Sequence, residues 1–197
     1  MRRRLSGLIA ILLIISGCSG LKPQPKPPVI TTSWEQHQQE LLQLKNWALS
    51  GKIAIKTETN SHSASLYWHQ ENDHYRIDMS GPLGQGGAYI EGQPGYVRLA
   101  ISGEGEYEAT SPEHLLQDRL GWDIPIQQAR WWVRGLPDPE SPYQHQLKNN
   151  RLTLLMQNGW LISYLSYNEQ QVLPRKIKLS RENLKITLLM KDWKPIE

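Results

Sequence analysis

The chain has 197 residues, with 22 Lys and Arg against 19 Asp and Glu and a formal net charge of +3. That length suits one domain with an ordinary hydrophobic core. Arg2, Arg3 and Arg4 account for the whole excess, so the rest of the chain is neutral and net charge gives no reason to expect binding to nucleic acid or anionic lipid.

After the three arginines comes a mostly apolar stretch from Leu5 to Ile15, and then Ile15-Ser16-Gly17-Cys18. A basic start, a short apolar run and small residues before a cut make a secretory signal. The run falls well short of the roughly 20 residues needed to span a bilayer as a helix. Cys18 is the only cysteine, and the ending resembles the lipobox of bacterial lipoproteins. The resemblance implies cleavage after residue 17, a diacylglycerol on the Cys18 side chain and an acyl chain on its new amino group. Ser19, rather than Asp, resembles the signal for sorting to the outer membrane. With its one cysteine lipidated, the folded part has no disulfide.

Residues 18–33 are read as the lipidated cysteine and a tether. Pro23, Pro25, Pro27 and Pro28 crowd this segment, which disfavours helix and sheet and leans toward extended polyproline II. From Ser19 to Ser33 it could reach roughly 45 Å at about 3.1 Å per residue.

Residues 34–197 are read as the folded domain. Ser33 is a plausible N-cap for a helix over Trp34 to Asn46, with a narrow stripe of Trp34, Leu41, Leu42 and Leu44. Alternating segments follow: Trp47-Leu49 and Ile53-Ile55, Leu66-Trp68, Ile77-Met79, Val97-Leu99-Ile101, Leu152-Leu154-Met156, Trp160-Ile162-Tyr164, Ile177-Leu179 and Leu184-Ile186-Leu188-Met190. Turn residues separate them, among them Asn72-Asp73, Pro94-Gly95, Asn149-Asn150 and Asn158-Gly159. Ser111-Pro112 opens a second helix running to Gly121, and a third runs from near Pro125 to Gly135 with Trp131 and Trp132. Leu136 to Pro142 reads as a loop. The expected fold is mainly β: a strongly curved antiparallel sheet of about ten strands with a few helices against its concave face.

Catalytic signatures are missing. The sequence has no G-x-S-x-G, H-E-x-x-H, phosphate-binding loop or C-x-x-C, so no enzyme activity, metal or nucleotide is expected. His62, His69 and His74 fall at or beside turns and read as surface histidines. Glu104, Glu106 and Glu108 would share one face of a strand, as a solvated edge.

Two features point to lipid. The first is the wealth of large apolar residues on inward positions, in a chain with eight Trp and no Phe. A curved sheet capped by helices can enclose an apolar cavity suited to acyl chains. Trp47, Trp68, Met79, Leu99, Met156, Ile162, Leu179 and Leu188 are its expected lining. The second is Ser80-Gly81-Pro82-Leu83-Gly84-Gln85-Gly86-Gly87, a loop holding one large apolar residue, Leu83, that could dip into a membrane or a partner.

Beyond the lipobox, further pieces extend along the chain: Trp34-Glu35-Gln36-His37-Gln38-Gln39, Gly81-Pro82-Leu83-Gly84, Gln93-Pro94-Gly95, Trp131-Trp132-Val133-Arg134-Gly135-Leu136-Pro137 and Lys191-Asp192-Trp193. Together they resemble the LolB branch of the LolA/LolB lipoprotein-localisation family. The resemblance implies an unclosed (half) antiparallel β-barrel with a helical lid over a hydrophobic cavity. It implies a monomeric outer-membrane receptor that accepts acylated lipoprotein cargo from a LolA-type periplasmic carrier and passes it into outer-membrane lipid. It also implies that Leu83, between Pro82 and Gly84, acts in membrane insertion. A lipid-anchored hydrolase of envelope polymers and a structural outer-membrane assembly lipoprotein are the alternatives. An acidic or Ser/His cluster in the cavity would mark the enzyme, and a dry cavity the carrier.

Overall fold

The computed structural model describes residues 32–82, 86–170 and 172–196; Cys18, Leu83 and Gly84 lie outside the described residues. Helix α1 (Trp34–Gln43) starts at a capping box, the Ser33 hydroxyl accepting from the Gln36 amide while the Gln36 side chain accepts from the Ser33 amide. It ends at Gln43 rather than Asn46. The Leu44 amide turns back to the Leu41 carbonyl, and Asn46 already pairs with Glu71 in the sheet.

A first meander then runs β1 (Asn46–Lys56), β2 (Ser61–Glu71), β3 (His74–Ser80), β4 (Gly87–Gln93), β5 (Tyr96–Ile101) and β6 (Gly105–Ala109). Helices α2 (Pro112–Leu120) and α3 (Ile126–Trp132) follow, and then β7 (Tyr143–Lys148), β8 (Arg151–Gln157), β9 (Trp160–Tyr167), β10 (Pro174–Arg181) and β11 (Leu184–Pro195). The strands form one eleven-stranded sheet in the order β6-β5-β4-β3-β2-β1-β11-β10-β9-β8-β7. Every neighbouring pair is antiparallel. Asn149-Asn150 and Asn158-Gly159 take positive φ at both central positions, the geometry that matches hairpin twist.

Register shifts interrupt three strand pairs, β1–β11, β9–β10 and β7–β8, and two of them matter most here. Ser50 faces Asp192 and Gly51 faces Met190, leaving Lys191 unpaired. A side chain at Gly51 would collide with the Leu189 carbonyl, so the bend there requires glycine. In β8, Gln146 faces Leu154 while Leu147 faces Leu152, leaving Thr153 over. This second bulge overturns the reading of Leu152-Leu154-Met156 as one face: Leu152 and Leu155 are fully buried, and Met156 is 38% exposed on the opposite side. Glu104 likewise falls in the turn before β6, not on its face.

The free edges are β6 and β7, so the barrel stays open. Residues 110–142 join one edge to the other across the concave side. There α2 buries Leu115 and Leu116, and α3 buries Ile126, Ala129 and Trp132. Helix α1 adds Trp34 to the main core, while its Leu41 packs with Leu136 and Leu173 in a smaller one. Beneath Trp34, at 6.1 Å between rings, His37 is buried at 1% exposure with neither ring nitrogen hydrogen-bonded. Burial first, and the Arg151 charge second, lower its pKa to about 4.

That depression ties stability to pH. Between the ordinary histidine value and about 4 the unfolded chain binds the proton and the folded chain does not, so stability falls as pH is lowered through this window. Urea unfolding at pH 7 and pH 4.5 should show the loss, up to about 3 kcal/mol by pH 4 from this residue. His37→Phe should flatten its part of the slope.

Candidate functional site

Hairpin turns gather at both ends of the half-barrel. One end carries the β1–β2 and β10–β11 connections and the Gly81–Gly86 loop between β3 and β4. Residues 121–125, between α2 and α3, reach this end through the Asp123–Arg181 ion pair. Gly121 ends α2 in a left-handed conformation, with φ 69°. Trp122 then packs against His62 at 6.2 Å between rings.

Between the helices and the sheet lies a small void of about 50 Å³, lined only by apolar side chains. Leu116, Ile124, Ile126 and Ala129 come from the helical segment, and Ile55, Trp68, Ile77 and Leu188 are among those from the sheet. Such a lining offers water no polar partner. Ile53, Ile55, Met79 and Trp122 also line a second space, an open groove of about 590 Å³. The groove is bounded by Leu120, by Ser61–Ala64 and by the loop base at Gly81, Pro82, Gly86 and Gly87. The apolar interior therefore runs without a break into a groove of ligand size, with Trp122 at the junction.

Of the residues expected to line the cavity, Trp68, Met79, Leu179 and Leu188 border the void. Leu99 and Ile162 are fully buried in the core away from it, and Trp47 makes tilted ring contacts with Trp68 and Trp193. Met156 is on the outer face. Pro82 is exposed at the groove mouth.

The helical segment is fastened unevenly. Gln157 is buried, and its side-chain oxygen accepts from the Trp132 indole at 2.8 Å and the Asp138 amide at 2.9 Å. Its amide group donates to the carbonyls of Asp138 and Ser141. The Tyr164 hydroxyl donates to the Trp132 carbonyl at 3.0 Å. Arg134, also buried, donates to the carbonyls of Leu44 and Leu41 and lies 4.5 Å from the Trp131 ring. Burial, and then Arg130, lower its pKa to about 10, which leaves it charged at neutral pH. The C-terminal end of α3 and the loop after it are thus pinned by buried polar contacts. The α2 end has the exposed Asp123–Arg181 pair and Arg119 over Tyr107 at 4.0 Å. Sequence reading missed Gln157 because a glutamine beside a turn looks like surface. Arg134 could be found only as part of the Trp131–Pro137 block.

The residues for chemistry are spread out. His69 pairs with Glu71, His74 with Gln93, Glu106 with Arg98, and Glu108 with the Tyr96 hydroxyl. Among the described residues no three His, Cys, Asp or Glu side chains come together as a metal site. No described helix is long and apolar enough to cross a membrane.

Solved structures share this architecture at low sequence identity. A LolA superfamily protein from Nitrosomonas europaea superposes with a TM-score of 0.51 at 10% identity, covering 81% of this chain and 94% of its own. An outer membrane lipoprotein-sorting protein domain from Vibrio parahaemolyticus gives 0.50 at 8%, covering 82% and 91%. The fold is therefore that of the LolA-like unclosed barrels. Sequence narrows the class. The family model described as "Outer membrane lipoprotein LolB" matches residues 45–193. Outer-membrane lipoprotein LolB of Pseudomonas syringae is 42% identical over 95% of this chain and 94% of its own, and that of Pseudomonas aeruginosa 41% over 99% and 98%. The chain belongs to the LolB family of outer-membrane lipoproteins.

Gln157→Leu tests the pinning. It strands the Trp132 indole and the Asp138 amide in the core, so the denaturation midpoint should fall by an amount equivalent to about 3 kcal/mol. An exposed neighbour such as Asn158→Asp should stay within about 0.5 kcal/mol of wild type.

Proposed function

We propose that the protein is a lipid-anchored receptor that takes acylated lipoproteins from a LolA-type carrier and inserts them into the outer membrane without nucleotide hydrolysis. The carrying observation is the wholly apolar interior whose lining continues through Met79 and Trp122 into the open groove. The void's lining holds no acid, serine or histidine, and Ser61, His62 and Ser63 line only the open groove, which favours carriage over hydrolysis. Residues 1–17 are cleaved as a signal, Cys18 carries the lipid, and residues 18–33 tether the domain.

At about 50 Å³ the interior is nearly filled by the lid's own side chains. An acyl chain enters by displacing Leu116, Ile124 and Ile126 as the less firmly fastened α2 end swings out over the groove. Each buried methylene contributes about 0.8 kcal/mol, but the chain replaces apolar contacts the lid already made. Net affinity is therefore lower than burial from water alone would give. That leaves cargo firmly excluded from water and still able to pass to a bilayer. No covalent step is needed.

The experiments follow the path of the cargo. Cys18→Ala should abolish incorporation of labelled palmitate. Met79→Gln, at the junction, should weaken binding of an acyl probe by several-fold while the melting temperature changes little. A parallel loss of folding would return Met79 to ordinary core. Leu83→Glu should leave stability within about 0.5 kcal/mol and uptake from the carrier intact, yet block delivery to vesicles, because a carboxylate resists the apolar layer. If uptake, delivery and stability fell together, Leu83 would be a buried turn residue instead.

A further inference from the structure

The balance of charge outside the three leading arginines hides a division of the convex face. On β3–β6 opposite charges pair: Arg76 with Asp78 at 3.0 Å, and Arg98 with Glu91 at 2.8 Å and Glu106 at 3.4 Å. On β1, β11 and β10 the outward positions hold Lys52, Lys56, Lys176, Lys178 and Lys185, all exposed. Among the described residues none of the five is in an ion pair. Register draws them together: Lys52 and Lys176 flank Leu189, Lys178 faces Thr187, and Lys56 stands directly opposite Lys185. Like charges in opposed positions repel. The neighbouring acids do not relieve this, since Glu58 and Glu182 lie in the hairpin connections and Glu58 is engaged by the Asn183 amide at 3.5 Å.

The patch lies at the loop-bearing end. Lys52 pairs across the sheet with Ser65, and Ser65 with Ser80, the last residue before the Gly81 loop. An outer groove of about 580 Å³ runs from Lys52, Ser63, Ser65 and Thr187 to Gly81 and Pro82. The loop base therefore stands between two spaces, the apolar groove on the concave side and, on the convex side, a groove lined by Lys52, Leu189 and the hydroxyls of Ser63, Ser65, Ser80 and Thr187. Short side chains around the lysines leave their ammonium groups open, and hydroxyls and ammoniums both donate to phosphate oxygens.

We infer that this lysine face binds anionic phospholipid headgroups and sets the open end of the half-barrel on the membrane. The tether limits the choice of occupant. In an outer-membrane lipoprotein, residues 18–33 keep the domain within roughly 45 Å of a bilayer at full extension, so the negative surface within permanent reach is lipid phosphate. Attraction of a basic patch to such a surface is short-ranged and screened by salt, which suits a contact that orients rather than anchors. The inference deepens the receptor reading and rests on it for its purpose, by placing the Gly81 loop and the groove mouth against the layer that receives the cargo.

The test uses the full-length lipidated protein anchored in vesicles. One set contains phosphatidylcholine with phosphatidylglycerol, the other phosphatidylcholine alone. A water-soluble amine-reactive ester, read by mass spectrometry, should modify Lys52, Lys56, Lys178 and Lys185 several-fold more slowly on the anionic set. Lys148, on the far edge strand, should react equally on both, and about 0.5 M salt should abolish the protection. The triple variant Lys56→Gln, Lys178→Gln, Lys185→Gln should melt like wild type and take up cargo normally. Its delivery to anionic vesicles should slow about tenfold, with delivery to phosphatidylcholine unchanged. Equal labelling on both vesicles overturns the inference. So does protection seen only when the carrier is present, which would assign the face to a protein. Labelling decides the matter whether or not cargo moves, whereas failure of the receptor reading would show in wild-type protein that takes up no cargo.

Discussion

The pairing of β1 with β11 is the constraint on which the rest depends. It joins Trp47 to Pro195 and Lys56 to Lys185, strands from opposite ends of the sequence. Every other neighbouring pair in the sheet is a local hairpin. Without this seam the chain would be two separate meanders, each with an apolar face. With it, the two faces become one concave surface, β6 and β7 become the outer edges, and the segment between those edges has to cross the hollow. The lid is thus a consequence of strand order. The bend at Gly51 lies in this same seam, so curvature is set where the two halves meet.

An apolar hollow of this kind has two stable conditions, filled by the protein itself or filled by something else. The lid supplies the first, laying Leu116, Ile124, Ile126 and Ala129 against the sheet. Its attachments differ between its two ends. Buried hydrogen bonds through Gln157 and Arg134 are expensive to break in a low-dielectric interior. The Asp123–Arg181 pair, with the Asp123 side chain 55% exposed, exchanges with water at little cost. The lid's attachments are thus of two kinds, buried hydrogen bonds at one end and a partly exposed ion pair at the other.

Most strands were legible because one face meets the core and the other meets water, so Ile177-Leu179 against Lys176-Lys178 states its own orientation. Caps were equally plain: Ser33, Ser111 and Gly121 stand where the helices start and stop. What was not legible has physical causes. β7 is exposed along its whole length, so it carries no burial period. The extra Thr153 reversed the phase of β8 and sent Met156 outward. Which inward residues border the void was not legible, since Trp68 and Leu99 alternate alike along their strands and only the position of the helices separates a void-facing residue from a packed one. The lysine face was hidden for a related reason: a total charge carries no information about segregation.

The unclosed sheet has a further cost, because two strands keep a row of unsatisfied backbone donors and acceptors. Such edges are templates for strands from other molecules. Both edges here are short: β6 spans Gly105–Ala109 and β7 spans Tyr143–Lys148. β6 carries Glu106 and Glu108 outward, so a second copy approaching edge to edge brings carboxylates against carboxylates. β7 ends on Lys148 and is shadowed by α1, with Trp34 5.9 Å from His145. A protein that has to remain open to accept its ligand cannot remove its edges by closing the barrel. Its solubility at the crowded membrane surface is therefore secured by the chemistry of these two short strands.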